Sequence, residues 1–130
     1  MDLNNPVIKL CLEGSRAEFA GCPNEARALY LQAWQAARDD FEACVAAHYV
    51  ARFQDDPQVG LQWNQEALTR AEAVGDERVR SFYPSLYVNL GRAYERLGNW
   101  AEAQRYYKLA AELGLVHQAE QLGANIELRY

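Results

Sequence analysis

Residues 86–110 read LYVNLGRAYERLGNWAEAQRYYKLA. Leu86, Leu90, Tyr94 and Leu97 recur at helical spacing before Gly98-Asn99, and Ala103, Tyr106, Tyr107 and Ala110 do so after it. Glycine ends helices because it adopts the left-handed backbone at no steric cost, and asparagine starts them by accepting orphan amide hydrogens. The stretch therefore predicts two helices joined by a tight turn, which forces them antiparallel. The same punctuation occurs earlier in the chain. Gly98, Ala103, Tyr107 and Ala110 have counterparts in Gly21, Ala26, Tyr30 and Ala33 at identical offsets, and a fainter copy runs through Asp55, Gly60, Asn64 and Ala67. Gly91 stands seven residues before Gly98, as Gly14 stands seven before Gly21. An internal repeat at this period is the mark of a stacked-hairpin architecture.

Working outward, the punctuation marks off helices near 7–19, 24–38, 41–53, 57–74, 77–97, 101–113 and 116–125. Pro23 suits a first helical turn, Asp39-Asp40 caps the third helix, and Asp56-Pro57 supplies an N-cap followed by proline at the first helical position. Gly75-Asp76 closes one helix and opens the next. Pro84 is the irregularity: a helix over 77–97 is expected to contain it and kink there, the alternative being a helix that begins at Pro84 after a separate turn. The 130 residues, half of them hydrophobic, suffice for a packed core, and their helix-forming composition argues against a sheet.

The quoted stretch resembles a tetratricopeptide repeat at Leu90-Gly91, Tyr94, Gly98, Ala103, Tyr107 and Ala110. Windows 7–40 and 41–74 resemble two further copies, and a third covers 84–117, or 77–117 with its leading turn. The segment around Gly75 to Tyr83 is similar to longer repeats of bacterial signalling proteins, which have an extended first helix. The resemblance implies a single all-α domain, an α-solenoid of about three hairpins with a capping helix near 116–126. Tyr94 and Tyr107 are expected to fill space between hairpins. The second copy departs from the pattern, with His48 in place of the glycine and Gly60 in place of the alanine, which suggests an exchange of volume between facing positions.

The resemblance also implies a concave groove lined by the first helix of each pair. Its candidates are Ile8, Cys11, Ser15, Glu18 and Phe19, then Val45, Tyr49, Arg52 and Phe53, then Ser85, Val88, Asn89, Arg92 and Arg96. Spacing independently puts Ser85, Asn89, Arg92 and Arg96 on one helical face. The partner-binding set is expected to be Tyr49, Arg52, Phe53, Ser85, Asn89, Arg92 and Arg96: an amide that both donates and accepts, guanidinium forks for anions, and aromatic surface. The alternative for the arginines is a solvated face paired with neighbours such as Glu95. A chaperone-tail mode is not expected, because Cys11, Ser15 and Ala46 stand at its early positions.

The functional expectation is a non-catalytic interaction scaffold that takes another protein or peptide. The alternatives are a sensor of a signalling peptide or small molecule, and a self-associating subunit such as a homodimer. No cofactor is expected. Cys44 and His48 share a helix face, but two ligands do not make a structural metal site, and no group is evident to orient His48 as the base of a cysteine nucleophile. The glycines fall at turns rather than in a phosphate loop. A net charge of −5 disfavours nucleic acid. No apolar run approaches a membrane span, and no leader is evident. Three irregularly spaced cysteines suit a reducing, cytoplasmic setting.

Overall fold

The first described helix is started by a side chain: Asn5 Oδ1 accepts the backbone N–H groups of Val7 and Ile8 at 2.8 and 3.2 Å. The computed structural model describes residues 2–114. Over these residues the regular structure is entirely helical: α1 (Pro6–Phe19), α2 (Pro23–Ala36), α3 (Asp40–Val50), α4 (Pro57–Val74), α5 (Glu77–Arg80), α6 (Tyr83–Arg96) and α7 (Trp100–Glu112), with a 3₁₀ turn at Ala51–Phe53 after α3. Asp39, Asp56, Asp76 and Asn99 repeat the capping device at α3, α4, α5 and α7, and Pro6, Pro23 and Pro57 occupy first positions where a missing N–H costs nothing. Gly98, at φ +78°, makes the turn between α6 and α7 that a side chain would strain.

The chain divides into two compact units at Gly75–Asp76. In the first, α1 pairs with α2 and α3 with α4, and α3 also packs on α1 and α2. In the second, α6 pairs with α7. The all-α architecture of three helix hairpins agrees with the expectation. The helix expected near 116–126, and His117 with it, lie outside the described residues.

The helix expected as a single kinked element over 77–97 is two helices. Proline at 84 has no N–H to offer the carbonyl of Arg80, and its ring excludes that carbonyl. The chain breaks at Ser81-Phe82, leaving α5 one turn long, and Pro84 sits in the first turn of α6.

The core of the first unit gathers Ala17, Ala26, Tyr30 and Val50, with Trp34, Tyr49, Phe53 and Trp63 packed around them. In the second, Val88 and Ala110 are covered by Tyr87 and Tyr107. The α1–α2 and α6–α7 pairs approach closely because each has a glycine facing a tyrosine ring. A Cβ on Gly14 would lie 2.3 Å from Tyr30 Cε1, and one on Gly91 would lie 2.5 Å from Tyr107 Cε1. Tyr107 therefore fills space inside its own hairpin, and Tyr94 stacks on Tyr106 of the same hairpin with centroids 5.7 Å apart.

This geometry also corrects the volume exchange expected in the second repeat. The ring that faces the glycine comes sixteen residues later in both complete copies, and that register puts Asn64, not Gly60, opposite His48. A Cβ on Gly60 would meet only Gln54 Cβ, at an ordinary 3.7 Å. The large side chain at 48 is matched by a small one where the tyrosine would stand.

The N-terminal ends of α1 and α3 are tied by a buried carboxylate. Glu42, 4% exposed, accepts from Asn5 Nδ2 at 2.8 Å and from the Arg38 backbone N–H at 2.9 Å. Burial pushes its carboxyl up, but these hydrogen bonds outweigh that and hold it below the usual carboxylate range.

Candidate functional site

Behind α1 and α6 lies a polar lock built in the same register. In the first unit the Tyr30 hydroxyl, packed on Gly14, donates to Glu18 Oε1 at 2.7 Å. In the second the Tyr107 hydroxyl, packed on Gly91, donates to Glu95 Oε1 at 2.6 Å. Each glutamate follows its glycine by one helical turn, so glycine, glutamate and tyrosine recur as a unit. Burial, and then the adjoining carboxylate, push Tyr107 up to about 12. Burial does the same for Tyr30. Both hydroxyls stay protonated and keep donating. The periodic Tyr and Gly positions are visible in the sequence; Glu18 and Glu95 are named there as a groove residue and an arginine neighbour, but not as a repeated partner of the tyrosine, although their equal spacing from the glycines was available.

The second hairpin extends the first lock. Arg52, at the glutamate position of its own repeat, reaches Glu18 with Nη2 at 2.6 Å from Oε2 and Nε at 3.3 Å from Oε1. Burial raises Glu18, but the hydrogen bonds from Arg52 and Tyr30 hold its carboxyl below the usual range. The paired reading of this arginine is thus the observed one. Tyr49 stacks on Tyr30 with centroids 5.1 Å apart, and Phe53 does so at 5.9 Å. Arg27 lies over the Phe53 ring and donates to its carbonyl. The aromatic pair expected beside Arg52 is there, yet Phe53 serves the core as much as the surface. A cleft of about 280 Å³ remains, lined by Ser15, Glu18, Phe19, Tyr49 and Arg52. Ile8, Cys11 and Val45, expected along the same faces, are buried.

In the second unit Ser85, Asn89, Arg92 and Arg96 all lie on α6. Arg92 is half-buried and close enough to Tyr107 to act on it electrostatically, whereas Arg96 is exposed at the last turn. Val88, expected with them, is buried. In the 77-residue register relating the two complete copies, Ser15 and Phe19 are the counterparts of Arg92 and Arg96. On the tyrosine side of the hairpin, Tyr87 and Tyr94 of α6 pack on Tyr106 of α7.

This combination of glycine, tyrosine, turn glycine and alanine has a known counterpart. Residues 84–114 match the tetratricopeptide repeat family. The match to that family's description falls on α6 and α7 and begins at Pro84. No curated protein and no solved structure matches the chain. The α1–α2 hairpin reproduces the repeat's tight glycine–tyrosine contact, and the α3–α4 hairpin carries His48 and Asn64 at the corresponding sequence positions.

Cys11, Cys44 and His48 are held in unreactive forms. Burial pushes the Cys11 thiol up to about 12 and the Cys44 thiol up to about 11, far from thiolate character. Burial, with help from Arg52, pushes His48 down to about 4, so the imidazole is neutral. Among the described residues no group of three or more His, Cys, Asp or Glu side chains is arranged to hold a metal ion, and no helix is long and apolar enough to cross a membrane. A second cleft, about 560 Å³, is lined by Trp34, Arg38, Asp39, Asp40 and Arg70 among others.

Proposed function

We propose that the chain is a non-catalytic scaffold of tetratricopeptide type, whose first-helix faces hold an extended segment of another protein. The carrying observation is the lock repeated in the two units. The same glycine, glutamate and tyrosine fix α1 and α6 against their partner helices, while the residues one step around each helix differ freely: Ser15 and Phe19 on α1, Arg92 and Arg96 on α6. Rigid framework with variable outward side chains is how a helical-repeat protein acquires a specific partner.

In this reading Asn89 holds partner backbone through its donor and acceptor. Arg92 and Arg96 meet carboxylates, Ser85 lines the same row, and Tyr49, Arg52 and Phe53 present a guanidinium beside aromatic surface. All three repeats belong to one domain, and the chain works in the cytoplasm, where its thiols stay reduced. The test is affinity capture from the native host's lysate with wild type and with Asn89→Ala/Arg92→Ala/Arg96→Ala, each checked for helicity by circular dichroism. A protein retained by wild type and lost by the folded triple variant supports the reading; one retained equally by both refutes the α6 assignment.

A further inference from the structure

Two arginines of this chain that are clasped by carboxylates, Arg70 and Arg105, also carry an aromatic ring on their faces. Arg70 donates from Nε to Glu66 at 2.7 Å and from Nη1 to Asp40 at 3.0 Å, and its Cζ lies 5.5 Å from the Trp34 ring centroid. Arg105 donates to both oxygens of Glu102 at 3.1 and 2.9 Å, and its Cζ lies 4.3 Å from the Tyr106 ring. A carboxylate fixes the plane of the guanidinium, and a fixed plane is a good stacking surface.

Arg52 has the first half of this arrangement without the second. Glu18 holds its Nε–Nη2 edge, the side chain stays 41% exposed, and among the described residues no ring lies over its face. The face opens onto the cleft lined by Ser15, Glu18, Phe19, Tyr49 and Arg52. Phe19 is 95% exposed, an apolar surface that water covers poorly. The ion pair is closed, so the cleft offers no uncompensated charge to a carboxylate or an ammonium group. At about 280 Å³ it falls below the usual range for a whole small-molecule ligand and suits one large side chain.

We propose that this cleft receives an uncharged aromatic side chain of the bound segment, stacked on the Arg52 guanidinium and flanked by Phe19 and Tyr49. The inference rests on the scaffold reading above and adds the chemistry of one anchor residue. Aromatic side chains seated on arginine are typical of the few contacts that carry most of an interface's binding energy.

The test uses the full chain to select from a random displayed-peptide library. Enriched peptides share an aromatic residue at one position. Replacing it with alanine weakens binding about tenfold or more, and so does Phe19→Ser or Arg52→Lys in the chain. Phe19 is too exposed for its replacement to disturb the fold, and Arg52→Lys keeps the charge opposite Glu18 while removing the planar face. The bound peptide shifts the amide resonances of Ser15, Phe19 and Tyr49. Peptides that bind without an aromatic residue, or that shift only α6 resonances, overturn the anchor while leaving the scaffold reading intact. A library that yields no binder overturns both.

Discussion

Alanine at Gly14 and alanine at Gly60 are the same chemical change in two helix interiors, and the structure gives them opposite signs. In an exposed helix Gly→Ala stabilises by about 1 kcal/mol, because alanine has less backbone freedom to lose. At Gly60 that gain is available, since the new methyl meets only Gln54 Cβ at 3.7 Å. At Gly14 the methyl would lie 2.3 Å from Tyr30 Cε1 and 2.6 Å from Cδ1, against an ordinary separation of about 3.5–4.0 Å. The ring has nowhere to retreat: Tyr30 is fully buried, stacked on Tyr49 and Phe53, and tied by its hydroxyl to Glu18. Overpacking of this kind costs roughly 1–3 kcal/mol, and the intrinsic helix gain offsets only part of it. Gly14→Ala should therefore lose up to about 2 kcal/mol where Gly60→Ala gains about 1 kcal/mol. Gly91→Ala should lose less than Gly14→Ala, since Tyr107 is only half-buried. Urea unfolding followed by circular dichroism reads the difference as midpoints separated by about 1–2 M at equal slope. A Gly14→Ala protein whose midpoint rises as far as that of Gly60→Ala would refute the argument that the glycine–tyrosine contact sets the helix spacing.

His48 has a folded-state value near 4 against an ordinary 6.5, so between these pH values the unfolded chain binds more protons. Stability should be complete above pH 6.5 and fall toward pH 4 by about 3 kcal/mol; urea midpoints across that window check it, and His48→Gln should flatten the slope. Tyr30→Phe and Tyr107→Phe should each cost about 1 kcal/mol, measured by thermal unfolding; no loss at either would show that the hydrogen bonds to Glu18 and Glu95 are inert. Glu42→Ala removes the acceptor for Asn5 and the Arg38 backbone, and should cost about 2 kcal/mol; a neutral result would mean that the tie between α1 and α3 contributes nothing. Pro84→Ala gives the Arg80 carbonyl a donor, and should protect the new amide at 84 from hydrogen exchange as α5 and α6 join; unprotected exchange would assign the break to Ser81-Phe82 instead.

Helices were legible because each start and stop is written locally. Asp39, Asp56, Asp76 and Gly75 perform the capping roles their residue types announce. The break at Ser81-Phe82 was not legible from propensity, because Glu77 through Phe82 is helix-compatible residue by residue and the decision belongs to a proline further along. Long-range pairings were the least legible. Arg52 looked like a groove cation, and only the packing of α3 on α1 brings Glu18 within 2.6 Å of it. Ile8, Cys11 and Val45 were expected in the groove from the family resemblance but are buried, because a helix packed against several neighbours buries more of its circumference than one amphipathic face. Glu42 gave no sign that it would be enclosed; it is held by hydrogen bonds donated by residues 38 and 5, the second of them the N-cap of another helix.

The exchange of Gly and Tyr for His48 and Asn64 bears on how such repeats drift apart after duplication. A histidine arriving first would meet a tyrosine ring already within 2.3–2.6 Å of where a first side-chain carbon must go. An asparagine arriving first would leave only a gap, which costs stability but can be survived. The ring must shrink before the glycine can grow. A hairpin of this build thus has a one-way order of mutation, and ancestors reconstructed between the two states should carry Gly with Asn and not His with Tyr.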